Sequence, residues 1–324
     1  MIRITAILTF ILALISPNPN LESLRGSVRI DGSSTVFPIT EAVAEEFSNS
    51  VPNVRVTVGV SGTGGGFKRF VASEIDISNA SRPIKSGELS LCNKSKIKFI
   101  ELPVAYDGLT IVVNKKNTWV DNLTMHELNA IFEGGLEKWS DVRPDWPNKK
   151  IKVYSPGTDS GTFDYFKEVV IGKIGSMRSD MSVSEDDNVL VKGVMGDVAS
   201  IGFFGCAYYF ANQDKLRAVP IVNPKTGKAV APTAINIENG SYAPFSRPLL
   251  IYVNVKSMRR PAVRGFVSFY IDHCDKMAEE VGYVSLPSDM RARVRQKLAE
   301  RHVGTHFLNV DGEQRHGPLE KLYK

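Results

Sequence analysis

Three short stretches of this chain gather hydroxyl side chains and glycines in a pattern that suits an anion. They are Asp31-Gly-Ser-Ser-Thr-Val-Phe-Pro38, Ser61-Gly-Thr-Gly-Gly-Gly-Phe67 and Gly157-Thr-Asp-Ser-Gly-Thr162. Serine and threonine donate hydrogen bonds without carrying charge, and glycine lets the backbone come close to a ligand. Each stretch falls where a β-rich run gives way to a helical pattern. A helix start carries unpaired N–H donors and the positive end of the dipole. One such loop is ordinary capping chemistry, whereas three in one chain point to an oxyanion site. The third loop has a second reading, because Asp159-Ser160-Gly161 also fits the surroundings of a nucleophilic serine.

Catalytic and nucleotide readings meet obstacles. The Walker pattern G-x-x-x-x-G-K-[ST] is absent, and Phe67 stands where G-x-G-x-x-G needs its last glycine. G-x-S-x-G is absent too, the order being Gly157-Thr-Asp-Ser160-Gly161. A serine hydrolase would need one of His126, His273, His302, His306 or His316 as its base. His302 and His306 have i,i+4 spacing, but Gly304 lies between them and no zinc-protease glutamate accompanies them. Binding is the stronger reading, and it requires neither metal nor cofactor.

The elements that must position these loops alternate, as in an α/β protein. VRVTVGV (54–60), IKFIEL (97–102), LTIVVN (109–114), IKVY (151–154) and LLIYVNV (249–255) read as strands. Thr124-Met-His-Glu127 is a capping box that opens one helix. ITEAVAEEF, ending at Phe47, and residues 163–170 are two more helices, and SDMRARVRQKLAER predicts an exposed basic helix. No repeat, low-complexity linker or heptad run appears, so two domains would be joined by crossovers within the sheet.

The 324 residues are 43% hydrophobic and 23% charged, which is enough for about two domains with ample core. Forty basic against 35 acidic side chains give +5. That excess is too mild and too interleaved for a nucleic-acid partner. Arg3 precedes the uncharged run Ile4 to Ile15, which fits a secretory signal and is short for a membrane span. Residues 1–26 are therefore read as signal and leader, with the mature start between Ser16 and Ser27 and no cysteine for a lipid anchor. Cys92, Cys206 and Cys274 make no disulfide framework; they are either one pair plus a leftover or buried thiols.

Seven segments together resemble the periplasmic phosphate-binding proteins of bacterial ABC uptake systems, over nearly the whole mature chain. They are DGSSTVFPITEAVAEEF, SGTGGGFKRF, DISNASRPIK, AYDGLTIVVN, SPGTDSGTFDYF, SIGFFGCAYY and YAPFSRPLLIYVN. The resemblance implies a two-lobed receptor of the type II binding-protein fold, monomeric, closing on inorganic phosphate at a hinge and docking on a membrane permease. Lobe one would comprise 27–103 and 249–324, and lobe two 104–248. Carried over by position, the contacts are Ser34, Thr35, Val36 and Phe37 of the first loop, Ser61 of the second, and Ser160, Gly161 and Thr162 of the third.

Two positions depart from the family pattern. The aspartate that accepts the proton of phosphate aligns with Ser81, and the family's arginine aligns with Pro156. Arg82, beside Ser81, could supply the guanidinium, or it is a surface ion pair with Glu74 or Asp76. Asp107 is the first candidate for the acceptor and Asp159 the second; Asp107 is otherwise a turn residue before Gly108. Without an acceptor, sulfate or arsenate becomes an alternative ligand.

Overall fold

The computed structural model describes residues 23–158, 160–172, 174–184, 186–315 and 317–324. The apolar N-terminal run, Asp159 and His316 lie outside the described residues. Among the described residues the strands are β1 (Gly26–Gly32), β2 (Val54–Val58), β3 (Ile77–Ala80), β4 (Phe99–Asn114), β5 (Lys152–Pro156) and β6 (Ser182–Ser184). They continue with β7 (Ser200–Gly205), β8 (Leu216–Ala218), β9 (Ile221–Val222), β10 (Ala229–Val230) and β11 (Ser246–Asn254). The helices that frame the loops are α1 (Phe37–Ser50), α2 (Gly62–Val71), α3 (Ser86–Lys94), α4 (Met125–Glu133), α5 (Trp139–Val142) and α6 (Gly161–Phe166). Then come α7 (Asp187–Gly196), α8 (Cys206–Phe210), α9 (Ala234–Glu238), α10 (Pro261–Glu280), α11 (Ser288–Ala299) and α12 (Leu319–Leu322).

The main sheet runs β2-β1-β3-β11-β4-β7-β5-β6, with β8 also on β4. In one half β1, β2 and β3 are parallel and β11 is antiparallel to both β3 and β4. In the other half β4 is antiparallel to β7 and β8, while β5 is parallel to β6 and β7. Each half is thus a mixed sheet with helices on it, and β4 threads both. It changes partner from β11 to β7 between Gly108 and Leu109.

IKFIEL and LTIVVN, expected as two strands, are one, because all sixteen residues of β4 are buried and extended. Covering on both faces replaces alternation with a nearly unbroken apolar run. Pro103 interrupts nothing. It has no N–H for the ladder, and the register against β11 shifts there, between Leu249 and Leu250.

The predicted capping box forms: Glu127 N donates to Thr124 Oγ1 at 3.1 Å and Thr124 N to Glu127 Oε2 at 2.8 Å. The helix expected at 163–170 begins as α6 and passes straight into a π-helical turn, Lys167–Ile171. SDMRARVRQKLAER does form α11 but is not wholly exposed, since Met290 and Val294, one turn apart, are buried. Helix α10 has no narrow apolar stripe to betray it, because eleven of its twenty residues are buried. Phe266 and Phe269 hold Phe47 of α1 edge-on, each at 5.2 Å. All three cysteines are buried, and Cys92 and Cys274 are free thiols. No described helix is long and apolar enough to cross a membrane.

Candidate functional site

Parallel strands β1, β2 and β3 end on one edge of their half-sheet, and the three polar segments that follow them meet there. Crevices beyond the carboxyl ends of strands are the usual ligand sites of α/β folds. The first loop is fixed by Gly32 at φ +137°, where an added Cβ would fall 2.2 Å from Asn79 O. Ser33 N donates to Asn79 O at 3.0 Å, Phe37 N to Ser33 O at 3.1 Å and Thr35 N to Ser33 Oγ at 3.2 Å. Ser34 is left at the tip. Val36 is the cap residue of α1, with no side-chain cap and its own side chain fully buried.

In the second loop Ser61 caps α2 without a side-chain hydrogen bond into the helix. Its hydroxyl instead donates to buried Asp31 Oδ1 at 2.5 Å, and Arg69 pairs with the same carboxylate. Helix α2 lies so close to β1 that a Cβ on Gly66 would sit 2.7 Å from Gly32 Cα. That approach brings Thr63 to Ser81, their hydroxyls 3.2 Å apart and Ser81 N donating to Thr63 Oγ1 at 3.2 Å.

These segments wall a cleft of about 250 Å³ with Ser34, Thr35, Thr63, Ser81 and Arg82 on one side. Asp164, Tyr165 and Glu168 face them from the other half, and Arg247 lies between. Ser34 Oγ reaches Asp164 Oδ2 at 3.5 Å across the two halves. Arg82 lines the cleft, but its fork is held by Glu88, Nη1 to Oε2 at 2.9 Å and Nη2 to Oε1 at 2.7 Å. Neither Glu74 nor Asp76 is its partner: Glu74 lies by Arg69, and Asp76 pairs with Arg260.

Arg247 is the better placed cation. Opposite Asp107 in the β4–β11 register, its Nε donates to Asp107 Oδ2 at 3.2 Å and its Nη2 to Thr35 Oγ1 at 3.2 Å. The guanidinium lies 3.4 Å from the centroid of Tyr165. Asp107 is 1% exposed and does not line the cleft. Burial lifts its carboxyl above the ordinary range, and Arg247 pulls the other way. It therefore holds Arg247 from behind.

The cleft thus brings together Ser34, Thr35, Ser81 and Arg82 of the sequence-predicted residues. Val36, Ser61, Asp107, Ser160 and Thr162 are not among its lining residues. Ser160 Oγ accepts from Thr162 N at 3.2 Å as the cap of α6, which leaves its own hydrogen to donate. It lies one turn before Asp164, whose N–H donates to Ser160 O at 3.1 Å. None of the described histidines hydrogen-bonds Ser160. Thr63, Asp164 and Arg247 were not singled out by sequence, although all three lie in the segments that carry the family resemblance. The repeated tripeptide Ser-Arg-Pro, at 81–83 and 246–248, is the signal that marks both arginines.

Residues 18–273 match the family model of the PBP superfamily domain. The chain is 49% identical over 313 residues to the protein SphX of Synechococcus elongatus, covering 94% of this chain and 92% of that protein. It is 43% identical to the phosphate-binding protein PstS of Staphylococcus saprophyticus over 274 residues, 84% of each chain. A possible phosphate binding protein from Planctomyces limnophilus superposes with TM-score 0.83 at 45% identity, over 86% of this chain and all of that one. A putative phosphate ABC transporter substrate-binding protein with bound phosphate from Clostridium perfringens gives TM-score 0.55 at 26% identity, over 81% and 100%. A two-lobed α/β binding-protein fold, a polar cleft at its hinge and these relatives agree: the chain belongs to the PstS-like phosphate-binding protein family of the PBP superfamily.

Proposed function

We propose that this protein binds one inorganic phosphate in the cleft between its two lobes and delivers it to an ABC-type permease, without chemical change to the ligand. The observation that carries this reading is the donor set of a small crevice. Five serine and threonine hydroxyls, two guanidiniums and the uncapped start of α2 line it. Ser34, Thr35, Thr63 and Ser81 would donate hydroxyl hydrogens. The first-turn N–H groups of α2, with the N–H of Val36 at the cap of α1, would add backbone donors. Arg247 would supply the charge-assisted bonds, with Arg82 second because Glu88 competes for it. Ser61 and Asp107 would act behind the ligand, tying a loop and aiming Arg247. Ser160, Gly161 and Thr162, one helical turn from Asp164, would complete the set from the second lobe as the lobes draw together.

In this reading Asp164 takes the role expected of Asp107. Its carboxylate lines the cleft opposite Ser34 and would accept the O–H of hydrogen phosphate; sulfate would set lone pairs against it and be rejected. Lobe one would be 27–103 with 249–324 and lobe two 104–248, linked where β4 and β11 run side by side. The protein would be an exported monomer working in the periplasm, without nucleic acid. The likeness to an ABC transporter substrate-binding protein supports the permease as partner. Equilibrium dialysis of ligand-stripped protein with radiolabelled phosphate tests the reading. One site per chain is expected, and the absence of saturable binding would overturn it.

A further inference from the structure

Beside the small cleft lies a groove of about 770 Å³, a volume typical of sites for drug-sized organic molecules. One wall comes from residues 223–248, and the other from the C-terminal segment 307–322 together with 82–85. Its floor is apolar, with Tyr106, Ile237, Phe307 and Leu319 all buried. Its charge is one-sided: among the described lining residues are six cations and a single carboxylate, Glu238. Arg82 and Arg247 are tied to Glu88 and Asp107. No described carboxylate lies within ion-pair distance of the other four, Lys85, Lys225, Lys228 and Arg315. Ser246, at the end nearest Arg247, has a buried Oγ with no hydrogen-bond partner.

An apolar floor under a rim of uncompensated cations is complementary to one chemistry. We propose that this groove is a second ligand site, which takes a small organic anion with an apolar body, and that its occupancy is linked to phosphate binding. The apolar body displaces water from the floor, and the anionic group meets Lys85, Lys225, Lys228 and Arg315. Linkage follows from shared walls, since Arg82 and Arg247 line both the groove and the cleft. The linkage rests on the phosphate reading above; the second site does not. Inorganic phosphate lacks the apolar body, so the two sites differ in ligand class.

The test is calorimetric titration of the full mature chain with 2-naphthalenesulfonate, with neutral 2-naphthol as control. Saturable one-to-one binding of the sulfonate is expected, at least about tenfold tighter than the naphthol. The double variant Lys225→Glu/Lys228→Glu, on the exposed β9–β10 hairpin, should weaken it about tenfold or more while phosphate binding persists. Titrations with 2-naphthyl phosphate and 2-naphthoate then establish whether the head group prefers phosphoryl or carboxyl chemistry. Saturating sulfonate should shift phosphate affinity about fivefold or more. A chain that binds phosphate but not the sulfonate would overturn the site. So would equal binding of the naphthol, or indifference to the charge reversal. Unchanged phosphate affinity would remove the linkage, and sulfonate binding without phosphate binding would leave the groove standing while the phosphate reading fails.

Discussion

Replacing Arg247 by glutamine separates its two roles in a single variant. The wild-type side chain is 14% exposed, and its fork is shared between Asp107 and Thr35 while it rests on Tyr165. Losing a charge-assisted hydrogen bond to phosphate costs about 1.5–3 kcal/mol, or about 10- to 150-fold in affinity. Stability suffers separately. Removing one partner of a buried pair costs about 3–5 kcal/mol if the other stays charged, but Asp107 escapes part of this by taking up a proton.

The pH dependence follows from that escape. Asp107 is already raised by burial, and without its counter-ion it rises further. Below the unfolded value of about 3.9 the carboxyl is neutral in both states and the penalty is small. As pH climbs from there toward the raised folded value, the native state keeps a proton that the unfolded state has lost. Stability then falls by about 1.4 kcal/mol for each unit between the two values. Urea unfolding of Arg247→Gln should therefore show a deficit against wild type that opens only above the already raised wild-type value of Asp107 and levels off once pH passes its higher value in the variant. Arg247→Lys, which keeps a charge without the fork, should recover more stability than affinity. Phosphate affinity within twofold of wild type, together with a deficit independent of pH, would refute the reasoning.

Three other substitutions probe separate parts of the site. Asp164→Asn should weaken phosphate about tenfold and strengthen sulfate, because an amide can donate where a carboxylate only accepts; competition dialysis reads the ratio. Gly66→Ala should destabilise by about 1–3 kcal/mol in thermal melts, as its Cβ meets the Gly32 backbone at 2.7 Å, and phosphate should weaken because the Thr63 wall moves. Ser160→Ala should cost about 1 kcal/mol as a lost cap and several-fold in phosphate affinity. The wild-type protein should not turn over p-nitrophenyl phosphate or p-nitrophenyl acetate. Turnover that the alanine variant abolishes would instead make Ser160 a nucleophile.

What the sequence reveals of the fold is the part that local chemistry determines. The capping box at Thr124, the strand at Val54 and the glycine loops are legible because each rests on backbone geometry that a few neighbouring residues impose. The joining of IKFIEL to LTIVVN was not legible. Burial on both faces erases alternation, and Pro103 and Gly108 look like breaks until a bulge at Val104 of β4 absorbs one of them. Among site residues, the hydroxyl and glycine loops after β1 and β2 could be read as a set, whereas Ser81 and Arg82 were reached only through alignment with the family. Arg247 and Asp164 could not be ranked in the same way. Their importance comes from register and from the facing of two lobes, contacts 212 and 130 residues apart along the chain. Asp107 shows the converse. Its letter and place suited a ligand acceptor, but its partner across the β4–β11 pair turned it to holding an arginine.

The central claim is a selective phosphate site, and one calorimetric comparison tests it most directly. Ligand-stripped protein would be titrated with phosphate and then with sulfate, from neutral to alkaline pH. Tight one-to-one phosphate binding is predicted, with sulfate silent across the range. Equal binding of the two anions would contradict the acceptor role given to Asp164, and binding of neither would contradict the function itself.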